Sequence, residues 1–235
     1  GDPRQLGRPS DITHPGESGL SALDYILGDF NTVPQDSGVF LAVTRRMRSE
    51  IVPFISDNFY DSRLVAHEGT NNRRLIFEDN PLPCSEGIIM ITMNHQDNSQ
   101  SCLEEIAIIE KLYGYFLSQS YDEGGNQRAI SINDILVVAP YNVQVNLLQK
   151  KLITNNRTGT IDKFQGQEAP ISILSMTSSD IDNSPRGIKF LMQEAKLNVA
   201  ISRAQCLSII LINEELLNSP VNNIKEIKMK NNFLK

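Results

Sequence analysis

The sequence predicts an α/β fold: an open, mostly parallel sheet with helices on both faces. Three observations predict it. Short apolar runs rich in β-branched residues recur along the 235 residues. Segments of helical periodicity separate them, so strand and helix alternate as right-handed crossovers require. The runs are nearly continuous rather than alternating, which suits parallel strands covered on both sides.

The elements follow in order. Residues 1–34 are rich in Gly, Pro and Ser, hold one helix candidate at 21–27, and begin in mid-motif, as a segment cut from a longer chain does. GVFLAV (38–43) reads as the first strand. Helix 49–60 carries Ile51, Phe54, Ile55, Asn58 and Phe59 at helical spacing. Residues 68–86 are polar and read as a long connection with a short strand at 75–77. IIMITM (88–93) is the next strand, and helix 101–121 repeats Leu103, Ile106, Ile109, Leu112 and Phe116 every three or four residues. YDEGGNQR (121–128) reads as a surface loop. ILVVA (135–139) is a strand, and helix 141–152 places Val145, Leu148 and Leu152 on one face. ISILSM (171–176) and LSIILI (207–212) are the last strands, with a polar loop at 177–186 and a short helix at 191–201 between them. Lys225, Lys228, Lys230 and Lys235 form a basic cluster that reads as a solvated tail.

Composition narrows the function classes. Hydrophobic residues at 40% and charged residues at 21% are ordinary for a globular domain. No apolar run approaches the roughly 20 residues that span a bilayer, and the first residues lack the apolar stretch of a secretory signal. Cys84, Cys102 and Cys206 are widely spaced and read as reduced thiols of a cytoplasmic protein. His14, His67 and His95 share no metal-ligand spacing; Glu104, Glu105 and Glu110 are of a type that chelates a nuclease metal, but on a long helix they read as a solvated face, so no metal site is expected. The net charge of −6 argues against a broad basic face. Any nucleic-acid contact is therefore local, made by a few basic groups, hydroxyls and backbone N–H groups.

The chemistry concentrates in TGTIDKFQGQEAP (158–170) and LNVAISRA (197–204). In the first, the hydroxyl of Thr160 and neighbouring N–H groups suit one phosphate of a single strand. Asp162 suits capping of a short helix at 163–165, and Gly166 allows close backbone approach to a ligand. In the second, Leu197, Val199 and Ala200 bury the segment and leave Asn198, Ser202 and Arg203 to face a site. Asn198 reads as ordering the backbone. The planar, always charged fork of Arg203 suits phosphate oxygens. Arg46 stands just after the first strand, at the end where α/β proteins bind ligands. Pro140 leads into a helix N-terminus whose N–H groups and dipole favour phosphate. There Tyr141 and Asn142 either contact a nucleic-acid strand or pack and cap the helix. Gln5, in GDPRQL, is of the type that orients a water or senses a γ-phosphate.

GDPRQL, the string around Arg46, the Pro-Tyr helix start and the two segments above occur in an order that resembles motifs III to VI of superfamily 1 DNA/RNA helicases. The likeness is to the branch that includes the nonsense-mediated-decay helicase and bacterial helicases fused to RecB-like nucleases. Residues 43–64 are similar to the family's Q-Y-R-M-H-P string and its F-Y-x-x-x-L sequel, with Arg45 in place of Tyr and Arg48 in place of His. The resemblance implies a RecA-like fold of the P-loop NTPase type. Residues 1–34 then form the tail of a first RecA-like domain, 35–218 the second domain and 219–235 a basic tail. It implies ATP and Mg²⁺, bound mainly by the first domain, and single-stranded DNA or RNA, moved 5′ to 3′. A fused nuclease domain is a further option. Gln5, Arg46 and Arg203 take catalytic places, with Arg46 a γ-phosphate contact and Arg203 the arginine finger. Gly166 and Glu168 take nucleotide-binding places, Glu168 on the ribose. Tyr141, Asn142 and Thr160 take nucleic-acid places. The 235 residues contain no G-x-x-x-x-G-K-[ST] loop and no Asp-Glu Mg²⁺ motif, so alone they are expected to lack ATPase activity. The rival reading is a non-catalytic nucleic-acid or protein interaction module derived from a helicase.

Overall fold

A computed structural model describes residues 2, 4–6, 20–28, 30–180, 182, 184–185, 187–219 and 231. The lysine cluster of the tail and much of 1–34 lie outside the described residues. Helix α1 (Ala22–Leu27) starts at Ser21, whose Oγ accepts from the Asp24 amide at 3.1 Å, and stops at Gly28 with φ +53°. Strand β1 (Val43–Thr44) pairs in parallel with β2 (Val65–Ala66), and α2 (Val52–Phe59) lies between them. Strand β3 (Arg73–Ile76) precedes β4 (Gly87–Met93) and the long α3 (Leu103–Leu117). Strands β5 (Ser120–Glu123) and β6 (Asn126–Ala129) form a hairpin. Then come β7 (Ile135–Ala139), α4 (Asn142–Lys151), β8 (Arg157–Thr160) and β9 (Ala169–Ser175). Helices α5 (Gly187–Leu191) and α6 (Glu194–Ile201) lead to β10 (Ala204–Asn213) and α7 (Glu214–Asn218).

The central sheet has the order β4-β10-β9-β7-β8, and every pairing in it is parallel. Its strands alternate between two cores because successive side chains point to opposite faces. Leu136, Val138, Leu174, Ile210 and Ile212 meet α2 and α6 on one side. Ile135, Val137, Ile171, Ile173 and Ile209 meet α3 and α4 on the other. Each fully buried aliphatic side chain contributes about 1.5–3 kcal/mol, so this double layer is the main source of stability. The observed fold is α/β and RecA-like, as the sequence predicts. Among the described residues no helix is long and apolar enough to cross a membrane.

Two local expectations need correction, and one strand was missed. The run 38–43 is not a central strand: only Val43–Thr44 is paired, and Val39 and Leu41 are 85% and 82% exposed. Apolar continuity alone does not distinguish a buried strand from an extended surface segment. The loop expected at 121–128 is instead a tight antiparallel hairpin. Gly124 and Gly125, with φ +64° and +91°, supply the two left-handed turn residues that such a hairpin needs. Strand β8, with the polar sequence RTGT, carries no apolar run and was not legible as a strand; it is held as the sheet edge beside β7.

Candidate functional site

Two helical turns and two strand starts build a polar cluster at the N-terminal ends of β9 and β10. Helix α6 is short and nearly all buried from Leu197 to Ile201, so the chain leaves it pointing into the sheet, and Arg203 falls just before β10. Its guanidinium is 1% exposed. It donates to the Val199 carbonyl at 3.0 Å, to the Gln167 and Phe164 carbonyls at 3.2 and 3.4 Å, and to Gln5 Oε1 at 3.2 Å. All three side chains expected to face a site are buried: Arg203 is covered by Gln5 and residues 164–167, whereas Asn198 and Ser202 still line the pocket described below. Burial and the nearby Arg46 push the Arg203 pKa down to about 10, so it stays charged at neutral pH.

Arg46 follows β1 and reaches the start of β9. Its Nε donates to Glu168 Oε2 at 2.6 Å and its Nη1 to the Ser202 carbonyl at 3.2 Å. Gln205 Nε2 holds the other carboxylate oxygen of Glu168 at 2.9 Å. Burial alone would raise the Glu168 pKa, but the Arg46 hydrogen bond and charge outweigh it and lower the value. Gln5 also donates to Asp2 Oδ2 at 2.9 Å, and Tyr60 donates to the same oxygen at 2.6 Å. Asn198 Nδ2 donates to the Arg4 carbonyl at 2.8 Å and to the Tyr60 hydroxyl at 2.9 Å, which is the backbone-ordering part the sequence suggests. A pocket of about 540 Å³ opens here, lined by Gln5, Arg46, Asn198 and Ser202 with apolar groups such as Phe40 and Met47.

The remaining site residues lie elsewhere. Thr160 ends β8 and takes the N-cap position of a 3₁₀ turn (Ile161–Phe164) with no side-chain cap bond; Asp162 closes that turn through its carbonyl, accepting from the Gln165 amide at 3.3 Å. The expected Asp162 side-chain cap is not formed. Gly166 has φ +81° and is exposed, so the turn needs glycine for its backbone rather than for room. Gly159 is the position that lacks room: a Cβ there would lie 2.5 Å from Lys163 Cδ and 3.2 Å from the Phe164 ring. Tyr141 occupies the N-cap position of α4 but is 5% exposed, with its ring 5.6 Å from that of Phe190 and its hydroxyl 3.0 Å from Ser184 Oγ. As placed it packs and offers no face to a base, whereas Asn142 is exposed on the first turn of α4.

A family model described as an AAA domain matches residues 26–215. The chain belongs to this family and is of the superfamily 1 helicase type. It is 34% identical over 175 residues to the DNA polymerase alpha-associated DNA helicase A of Schizosaccharomyces pombe, covering 70% of this chain and 26% of that protein. The Saccharomyces cerevisiae protein of the same name is 30% identical over 210 residues, covering 78% and 29%. The Regulator of nonsense transcripts 1 homolog of Drosophila melanogaster is 29% identical over 194 residues, covering 75% and 15%. The chain thus spans less than a third of each of these relatives.

In this superfamily 1 helicase segment, Arg45 is exposed and lends its carbonyl to Arg73 at 3.2 Å. Arg48 is 5% exposed and ties α2's approach to Glu50, to Glu86 and to the carbonyls of Asn71 and Arg73. Sequence reasoning did not bring together a second polar cluster, at the C-terminal end of the sheet. Glu105 is not on a solvated face: it is fully buried, accepting from Ser175 Oγ and from the Thr177 amide at 3.1 Å. His95 and Cys102 stand beside it, also buried. Burial and Glu105 push the Cys102 thiol pKa up. The signal was weak, since spacings of seven and three residues match no common motif, and strand β4 and helix α3 bring the groups together only in three dimensions.

Proposed function

We propose that this chain supplies the second RecA-like domain of an ATP-dependent helicase, residues 35–218, with residues 1–34 the end of a first domain and 219–235 a basic tail. The observation that supports this reading is that Gln5, Arg46, Glu168 and Arg203, from four separate segments, form two neighbouring pairs, Arg46 with Glu168 and Arg203 with Gln5, of which Gln5 and Arg46 line the pocket. ATP binds there as substrate, between this wall and the first domain. The two cations are held by Glu168 and Gln5 until phosphate oxygens replace those partners. Arg203 then serves as the arginine finger and Arg46 as a γ-phosphate contact, each stabilising charge on the transferring group. Glu168, released from Arg46, accepts a ribose hydroxyl, and the left-handed turn at Gly166 keeps the backbone low beside it. Asp2 and Glu168, the carboxylates at this mouth among the described residues, are engaged by Gln5, Tyr60, Arg46 and Gln205, so they do not fit a Mg²⁺ shell. The metal belongs with the first domain.

Single-stranded DNA or RNA runs along the other edge of the sheet, past Asn142 and Thr160, with Tyr141 positioning the loop beneath. In the full-length parent, Arg203→Lys and Arg203→Ala should cut ATPase by about 10³-fold or more while single-strand binding stays near wild type. The lysine variant keeps the charge and tests the fork rather than folding. ATPase near the wild-type value in Arg203→Lys would sink the finger assignment. The isolated 235-residue chain should show no ATP turnover, and a wild-type parent without ATPase would favour a non-catalytic module.

A further inference from the structure

The cluster at the C-terminal end of the sheet has an unexplained polar atom. His95 and Glu105 side chains are both fully buried, and His95 Nε2 has no hydrogen-bond partner. It lies 3.4 Å from Glu105 Oε1. The other ring nitrogen is fixed: Nδ1 is 2.8 Å from Ser179 Oγ, which also accepts from the Asn98 amide at 2.9 Å. A histidine held at Nδ1 by a neighbouring polar group, with Nε2 free and aimed at a carboxylate, is the arrangement that orients a metal ligand. Cys102 Sγ is the third donor, and the three ligand atoms lie within 4.8 Å of one another.

The geometry points to a transition-metal site of the Zn²⁺ class formed by His95 Nε2, Cys102 Sγ and a Glu105 oxygen. Tetrahedral bonds of about 2.1 Å place nitrogen and oxygen ligands about 3.4 Å apart, which is the separation observed. The sulfur is near enough for a side-chain rotation to bring it into the same shell. Imidazole with thiolate and carboxylate selects Zn²⁺ or Co²⁺ over Mg²⁺ or Ca²⁺. Charge also balances. On binding, the Cys102 thiol gives its proton to solvent, and the thiolate and carboxylate neutralise the dication in a buried site. Glu104, whose Oε2 accepts from Cys102 Sγ at 3.4 Å, stands beside the fourth position.

Such an ion would clamp three pieces beneath the nucleic-acid edge. His95 follows β4, Cys102 and Glu105 open α3, and Glu105 holds the turn after β9 through Thr177. Gln144 of α4 is tied to the same place, accepting from the Cys102 amide at 2.9 Å. A site of this kind is independent of the nucleotide cleft, so its test does not depend on helicase activity.

The purified 235-residue chain should retain one equivalent of Zn²⁺ after dialysis against a weak chelator, and Zn²⁺ should raise its melting temperature by about 5 °C. Co²⁺ should give a thiolate charge-transfer band that Zn²⁺ abolishes. Cys102→Ser and His95→Gln should lose both, and Cys84→Ser should keep both. A wild-type chain that holds no metal and shows no thiolate–cobalt band would mean that a proton alone bridges His95 and Glu105, overturning the site. Unchanged binding in Cys102→Ser would do the same. If either variant fails to fold, the cobalt spectrum of the wild type decides alone.

Discussion

Asp134 illustrates how single residues set stability here. It accepts from both terminal nitrogens of Arg128 at 2.6 and 2.7 Å, and from Ser131 through its amide at 2.8 Å and its hydroxyl at 2.7 Å. Burial by itself would raise its pKa, but these hydrogen bonds outweigh it, and the folded value lies below the ordinary 3.8. The contribution is therefore fully present above the unfolded value and is lost as pH falls through the folded one. Asp134→Asn should cost about 2 kcal/mol at neutral pH; Arg128 is half exposed, so the loss stays below that of a buried pair. The difference between wild type and variant should shrink as pH drops below about 4. Denaturant titrations across that range check this; a pH-independent difference would exclude the charged hydrogen bonds as its cause. The same scale explains why Arg203 was only partly legible. Its identity and neighbours marked it, but its burial depends on Gln5, which lies nearly two hundred residues earlier.

Helix α3 shows what an element can gain. Its core face is Ile106, Ile109, Tyr113 and Phe116. Gly114 sits on the exposed side, and a Cβ there would meet nothing within 4 Å. Gly114→Ala should therefore stabilise the chain by about 1 kcal/mol, through helix propensity and a less free unfolded chain, read as a higher denaturation midpoint with an unchanged slope. No gain would mean that the glycine has a packing part the helix does not reveal. Elements of this type were readable in advance, because α3 and the strands β7, β9 and β10 owe their existence to apolar patterns their own residues carry. β8 and the β5–β6 hairpin owe theirs to partners and turn geometry. Only the Gly124-Gly125 pair hinted at the hairpin, and nothing local hinted at β8. The segment at 38–43 shows the converse, an apolar pattern without a sheet to receive it. The residues of the arginine cluster could be named one by one from the sequence, though not their burial, whereas the His95–Cys102–Glu105 cluster could not, since it exists only where the ends of β4 and β9 meet the start of α3.

At the scale of the whole molecule, charge sets how nucleic acid can be held. The chain carries a net charge of −6, and among the described residues the basic groups near its proposed strand-binding edge are few. Lys163 is occupied with the Thr158 carbonyl at 3.2 Å, and Arg157 with the Asn133 and Glu168 carbonyls. Asn142 and Thr160 offer neutral donors, which release no counterions when they contact phosphate. Contact with about three phosphates through cations predicts a slope of about −2 for log affinity against log salt on a single strand. Affinity should then fall only about 15-fold between roughly 50 and 200 mM salt. Anisotropy of a labelled oligonucleotide over a salt series measures this directly on the 235-residue chain. A slope near −5 or steeper would require a continuous basic track, which the described residues do not supply. A shallow slope with measurable binding would place the grip on hydroxyls, amides and the α4 N-terminus, where neutral groups hold phosphate without a cationic surface.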